Sequence, residues 1–362
     1  MRLILLVHRY LAVAIGLLMS LWCLSGFVML YQAYPSLTDT ERLAGLEPLD
    51  LRGCCKLEGV DLPEDTSVGD FEVEMLLGDP VLRLGGGFGR GGWPLSAGPS
   101  AAALDLRTGE PVPALSGDQA AQVAREYGLR HALGEPRALG LVDIDQWTVQ
   151  DARINRPVYL FGFGDRAHTE IYVSGASGKV FQDTSRPERV LAWLGAIPHW
   201  LYPLKLRQNA PLWTAIVVWT SGLGTFLTLT GLAVGIWRFR FRGDGGRRSP
   251  FRGWWYWHHI GGLVFGVLAL TWVFSGLMTM DPWGFLFKGG SRYEAEIRGD
   301  ATWGEIKRFL TAPPDLGAGH ELAQLAAAPF DGRLYAHAFL ADGRVVRLDA
   351  AGNPATLTVG DV

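Results

Sequence analysis

Three cysteines in 362 residues are too few to staple a fold, so a disulfide framework is excluded. Positive charge is not in excess either. The 33 Lys and Arg stand against 36 Asp and Glu, a net charge of −3, which removes the bulk electrostatic footprint of a nucleic-acid-binding protein. No GxSxG, phosphate-loop or HExxH motif occurs, so serine-hydrolase, nucleotide and zinc-protease chemistry have no anchor. Charged residues make up only 19% of the chain against 48% hydrophobic, and three long runs contain none of them. Those runs lie between Arg9 and Asp39, Arg207 and Arg238, and Arg252 and Asp281. Each exceeds the roughly 20 apolar residues that a bilayer crossing requires. An ordinary cytosolic enzyme does not fit.

The charges that remain orient the runs. Arg238, Arg240, Arg242, Arg247, Arg248 and Arg252 crowd one short link against a single acid, Asp244, and the positive-inside rule makes that link cytoplasmic. Arg2 and Arg9 put the N-terminus on the same side. The first apolar core, Tyr10 to Tyr31, is longer than the 7–15 residues or so of a signal-peptide core and ends in no small-x-small site, so it reads as a retained helix. The expected fold class is a membrane α-helical protein with external α+β parts. In order these are a first spanning helix in 1–34, an external α+β domain in 35–187 and an interfacial segment in 188–208. A second span in 209–238, an Arg-rich cytoplasmic loop in 239–253 and a third span in 254–281 follow. The last part, 282–362, reads as a second external segment, incomplete beside the first half.

Within the external part, Phe71 to Gly87 reads as two strands, and Gly117 to Leu129 as a helix with Asp118 as N-cap. Pro157 to Ser174 reads as a hairpin around Gly164 and Asp165. The glycine-rich stretch 85–94 has no helix after it, so a loop is expected there rather than a phosphate cradle. A turn pattern recurs at LDLRTGEPV, YVSGASGKV and LDAAGNPA. Asp105 or Asp349 can bond the turn backbone, and Gly109, Gly178 or Gly352 can take a positive φ.

The spans carry an internal repeat. Laying His8–Met29 over His258–Thr279 gives six identities in 22 positions: His8/His258, Gly16/Gly266, Leu18/Leu268, Trp22/Trp272, Ser25/Ser275 and Gly26/Gly276. Apolar bias explains the Leu but not the His, Trp or Ser-Gly. At about 100° per residue, Ala12 and Trp22 flank His8 while Gly26 lies in line with it, and the third span repeats this with Gly262, Trp272 and Gly276. Two imidazoles on different helices with small residues alongside suit a flat macrocycle, as in bis-histidine haem. The same small-xxx-small spacings serve close helix packing, and a boundary His can snorkel. His259 is the rival to His258.

His199 lies at the opposite end, where a second haem would need another ligand; Met29, Met278 and Met280 are the thioether alternatives there. His131, His168, His320 and His337 lack metal-ligand spacing and read as surface or structural histidines. Cys54 and Cys55 are adjacent and without further ligands nearby, so they define no site.

With HRYLAVAIGLLMSLWCLSGFVMLY, WLGAIPHWLYPLKLR and HHIGGLVFGVLALTWVFSGLMTMDPWG, the chain resembles the PepSY-associated transmembrane family, and YVSGASGKV looks like the end of a PepSY domain. The resemblance implies a bacterial inner-membrane protein tied to iron uptake, with b-type haem between helices and siderophore reductase activity. It implies cytoplasmic-side haem ligands at His8 and the His258/His259 pair, and a periplasmic-side ligand at His199. A fourth span, which the family would use for the second haem, is not present, so that ligand is expected from a partner chain or a missing helix. The expected activity is a haem-dependent ferric siderophore reductase served by an unknown electron donor, embedded in membrane lipid and binding no nucleic acid. The absence of Asp, Glu and Lys from the spans agrees with electron rather than proton movement. The alternative is a non-enzymatic PepSY module that binds or regulates a periplasmic protease or peptide.

Overall fold

The computed structural model describes residues 2–57, 62–68, 70–85, 103–241, 248–284, 286, 301–311, 321–330, 333–341, 343–349 and 352–355. The chain forms two compact units. One comprises Met1–Tyr34 with Val190–Lys288, the other Pro35–Arg189 with Gly289–Val362.

The first unit is helical. Its long members are α1 (Arg2–Met29), α7 (Ala210–Arg238) and α8 (Trp254–Thr279), numbered in chain order through both units. With 28, 29 and 26 residues, each is long and apolar enough to cross a membrane, so the chain is a membrane protein of three candidate spans. Between α1 and α7, α4 (Arg186–Leu194) leads into the segment reading WLGAIPHWLYPLKLR, which folds as the short helices α5 (Ala196–His199) and α6 (Leu204–Arg207), with Pro203 capping the last.

Helix α7 is the middle of this unit, packed against both α1 and α8. Glycines make the approaches close. A Cβ on Gly266 would stand 2.6 Å from Leu232, and one on Gly224 would stand 3.2 Å from Met19 and from Val273. The hydroxyls of Thr220, Thr225, Thr228 and Thr230 bond to carbonyls four residues earlier, which hides their polarity from hydrocarbon. Leu3, Tyr10, Val13, Leu17 and Leu24 stay exposed as an apolar stripe on α1, a surface that water penalises and lipid does not.

The second unit holds the short helices α2 (Asp39–Ala44) and α3 (Gly117–Arg130), α9 (Trp303–Thr311), and three sheets. The strands are β1 (Ser67–Val68), β2 (Asp70–Leu76), β3 (Asp79–Gly85), β4 (Ala103–Asp105), β5 (Arg137–Val142), β6 (Val158–Gly162), β7 (Glu170–Ser174), β8 (Val180–Thr184), β9 (Ala301–Thr302), β10 (Leu322–Phe330), β11 (Arg333–Leu340) and β12 (Val345–Leu348). One sheet runs β12-β11-β10-β2-β3-β4, a second β5-β6-β7-β8, and β1 pairs with β9. Trp303, Ile306, Phe309 and Leu310 of α9 bury against Phe71, Val73, Leu82 and Leu325 of the six-stranded sheet. Ala120, Ala124 and Tyr127 of α3 bury against Phe161, Ile171 and Val173 of the four-stranded one.

This arrangement corrects the expectation of a separate second external segment in 282–362. Antiparallel β2–β10 pairing, from Phe71↔Ala327 to Glu74↔Gln324, puts both halves of the chain into one sheet, and α9 covers that same sheet with its apolar face. A second correction concerns α3. Its cap is Ser116, in a reciprocal box with Gln119, and Asp118 sits inside the first turn. The recurrent turns form as the sequence implied: Asp105 accepts from Arg107 N at 2.7 Å, Asp349 accepts from Asn353 N at 2.9 Å, and Gly109, Gly178 and Gly352 all have positive φ. The β6–β7 hairpin also forms, with Asp165 accepting from Thr169 N at 2.8 Å in its loop. Residues 86–94 of the glycine-rich stretch lie outside the described residues, as does His320.

Candidate functional site

Helices α1 and α8 each bring one histidine to the same end of the helical unit. The His8 and His258 ring centroids are 6.3 Å apart, with the planes tilted by 40°. His8 lies half-buried against α7, where its Nδ1 donates to the carbonyl of Leu227 at 3.2 Å and lies 3.4 Å from Thr230 Oγ1. A backbone carbonyl can only accept, so Nδ1 carries the proton and Nε2 keeps its lone pair. Gly231 makes the contact possible, since a Cβ there would stand 2.7 Å from His8 Cε1. His258 is exposed on α8. On the turn after His258, a Cβ at Gly261 or Gly262 would meet nothing within 4 Å, and neither would one at Gly16, two turns along α1 from His8.

His259, the rival ligand, is engaged elsewhere. It is buried, its Nδ1 accepts from Ser249 Oγ at 2.8 Å, and its Nε2 donates to Gly235 O at 2.8 Å. With both nitrogens occupied and Phe251 edge-on at 5.2 Å, His259 ties the link after α7 to both helices and offers no ligand atom. Adjacent on the sequence, His258 and His259 point about 100° apart, and packing against α7 decides which of them is free.

His199, on α5, lies at the level of Trp22–Gly26 on α1. That is about 21 to 27 Å along the helix from His8, at 1.5 Å per residue. Its Nδ1 donates to Trp22 O at 2.9 Å and lies 3.3 Å from Ser25 Oγ, and its Cε1 would stand 3.2 Å from a Cβ on Gly26. No second imidazole faces it among the described residues. Nearby, Arg207 lies over the rings of Tyr202 and Trp213 at 5.3 and 4.8 Å, and Trp213 Nε1 donates to Trp200 O at 3.0 Å. Such an aromatic and cationic collar suits a membrane boundary.

Of the remaining described histidines, His168 is exposed in the loop between β6 and β7. His131 bonds Glu41 O at 3.0 Å and stacks on Tyr127, and His337 lies in β11. Cys54 and Cys55 are bonded to each other at the margin of the α9 core, and Cys23 is free. No group of three or more His, Cys, Asp or Glu able to hold a metal ion occurs among the described residues.

The α+β unit has a cavity in which Arg42, Glu47, Glu126 and Lys179 stand beside the apolar side chains of Leu76 and Val123. Burial and then the Glu126 carboxyl push Glu47 up to about 7. Glu74 is buried and paired with Arg83 at 2.6 Å, and Lys179 pairs with Glu72.

What the fold and the histidine arrangement define is a membrane protein whose helical unit holds paired imidazoles and whose other unit is α+β. Comparison with family models, curated proteins and solved structures gives no match for this chain.

Sequence reasoning missed Thr230 and Gly231 as His8's surroundings. The available signal was the Thr-Gly of α7 standing beside the Ser-Gly of the repeat.

Proposed function

We propose that this chain is a haem-bearing electron conduit of the bacterial inner membrane, akin to PepSY-associated transmembrane proteins, and that it reduces ferric siderophore iron at the periplasmic face. The observation that carries the reading is the His8–His258 pair. With metal–nitrogen bonds of about 2 Å and a ring radius of about 1 Å, two imidazoles across one metal have centroids roughly 6 Å apart. The measured separation is 6.3 Å. Two side chains leave a bare ion short of ligands, which favours a macrocycle that brings its own equatorial nitrogens. Bound there, b-type haem supplies a one-electron couple.

The chain's own residues supply the geometry. Leu227 O holds the His8 ring with Nε2 bare, and Gly261 and Gly262 put no side chain on the turn that follows His258. The Arg cluster between α7 and α8 supports a cytoplasmic N-terminus and a periplasmic α+β unit. Ferric iron held by hard oxygen ligands is released when one electron makes it ferrous, so reduction suffices for unloading. His199 supports a second, periplasmic-side haem whose other ligand comes from a partner chain or a fourth helix.

The test is haem loading of the purified full-length protein. His8→Ala and His258→Ala should each abolish the same low-spin signal, and His199→Ala should leave it. Full occupancy in the His8→Ala, His258→Ala double variant would end the proposal.

One observation favours a second reading. Strand β5 is a sheet edge whose first five residues are all exposed, including Leu139 and Leu141, as strand addition by a protease or peptide requires. A purified chain that binds extended peptides and shows no Soret band would make it the better account.

A further inference from the structure

His8 and His199 lie on different elements, at different levels, against different helices, yet their surroundings match part for part. On α7, Thr230 Oγ1 donates to the carbonyls of Phe226 and Leu227 at 3.0 and 2.9 Å, His8 Nδ1 bonds Leu227 O, and Gly231 lies beneath the ring. On α1, Ser25 Oγ donates to the carbonyls of Leu21 and Trp22 at 2.6 and 3.2 Å, His199 Nδ1 bonds Trp22 O, and Gly26 lies beneath the ring. In each case the order is carbonyl, hydroxyl three residues on, glycine four residues on. The hydroxyl spends its proton on the helix carbonyls, so its oxygen faces Nδ1 as a second acceptor.

We infer that Leu227–Thr230–Gly231 and Trp22–Ser25–Gly26 are two copies of one imidazole seat, in which the hydroxyl and glycine are positioning residues. They fix His8 and His199 with Nδ1 protonated and Nε2 bare.

A hydroxyl–glycine pair alone does not make a seat. Ser275–Gly276 on α8 and Ser221–Gly222 on α7 have the same two residue types, and a Cβ on either glycine would meet nothing within 4 Å. The seat exists where an imidazole has closed onto the carbonyl that the hydroxyl also bonds. It acts as an outer-shell partner acts on a metal-ligating histidine, setting tautomer and ring angle before any ligand arrives. The inference goes beyond the conduit at His199 and in the tautomer itself, and rests on the conduit only for the effect on haem.

The experiment uses the full chain, haem-free, in lipid nanodiscs with nitrogen-15-labelled histidine, each signal assigned by its loss in His8→Ala or His199→Ala. Both residues should show a protonated Nδ1 and a bare Nε2. Gly231→Ala should destroy that signature at His8 alone and, after loading, lower haem affinity about 10- to 100-fold. Gly222→Ala, on the same helix, should change neither. Should Gly231→Ala fail to insert, Thr230→Val carries the test. It should disturb His8 and leave His199 untouched, with Thr230→Ser restoring the wild-type signal. A protonated Nε2 at His8 and His199 in the unsubstituted chain, or equal effects of Gly231→Ala and Gly222→Ala, would overturn the seat. Correct tautomers in a chain that binds no haem would support the seat and end the conduit.

Discussion

The helical unit and the α+β unit differ in that only the α+β unit, among the described residues, buries a carboxylate–guanidinium pair. Among the helices, His8, His199 and His259 each donate to a backbone carbonyl, and Ser and Thr hydroxyls bond back to their own helix. These acceptors carry no charge to gain or lose. In the α+β unit the buried groups answer one another: Glu74 holds Arg83 and Arg42, Gln324 holds Glu74, and Tyr127 donates to Asp183. One unit is organised to present lone pairs, while the other is held by ionisable partners. Ligand sensitivity should therefore belong to the helices and pH sensitivity to the sheets.

The sharpest break would come from the histidine pair. His8→Ala or His258→Ala should remove the low-spin haem signal completely while hydrogen exchange in the α+β unit stays as in the wild type. Protection lost in both units together would erase the contrast. Glu74→Ala should do the reverse. Leaving Arg83 buried without its carboxylate should destabilise the α+β unit by about 3–5 kcal/mol, read as lost exchange protection, with haem spectra unaltered.

Two carboxyls set the expected pH response. Burial and then Glu126 push Glu47 up to about 7, and burial followed by Glu41 and Glu188 pushes Asp183 up to about 7. Unfolded Glu and Asp release their protons near pH 4.3 and 3.9 or so. Each raised group therefore contributes stability that is fully present below its unfolded value and lost as pH rises through about 7. Melting of the α+β unit should fall between about pH 4 and about pH 7 and level off above that, and Glu47→Gln with Asp183→Asn should flatten the slope. A flat profile in the wild type would break this half of the comparison.

The smallest effect separates the two repeat copies. Ser25 is buried in its seat and Ser275 is exposed. Ser25→Ala should cost about 1 kcal/mol in unfolding experiments. Ser275→Ala should fall within about 0.5 kcal/mol of wild type.

Much of the helical unit was legible because missing charge is a local property of the sequence, and so were the turns, where Asp105 and Gly109 do their work within five residues. The cap of α3 was misplaced by two residues because Ser116 and Asp118 are both good caps, and only the partner Gln119 decides between them. The β2–β10 pairing left no trace in either strand, since sheet partners far apart share no local pattern. The choice between His258 and His259 was equally hidden: a helical wheel gives their angle to one another, and only α7 gives the direction of packing.

That β2–β10 pairing bears on how the protein is made. Its strands join residues 250 positions apart, Glu74 and Gln324, and α7 and α8 lie between them on the chain. Strands that share a sheet must emerge on one side of a bilayer, so the intervening chain crosses an even number of times, and α7 and α8 insert as a hairpin or not at all. During synthesis the centre of the sheet stays without its neighbour until that hairpin is seated. A chain with one of these helices left out would put β2 and β10 on opposite sides of the bilayer and leave β2 as an unpaired edge, open to pairing with another chain.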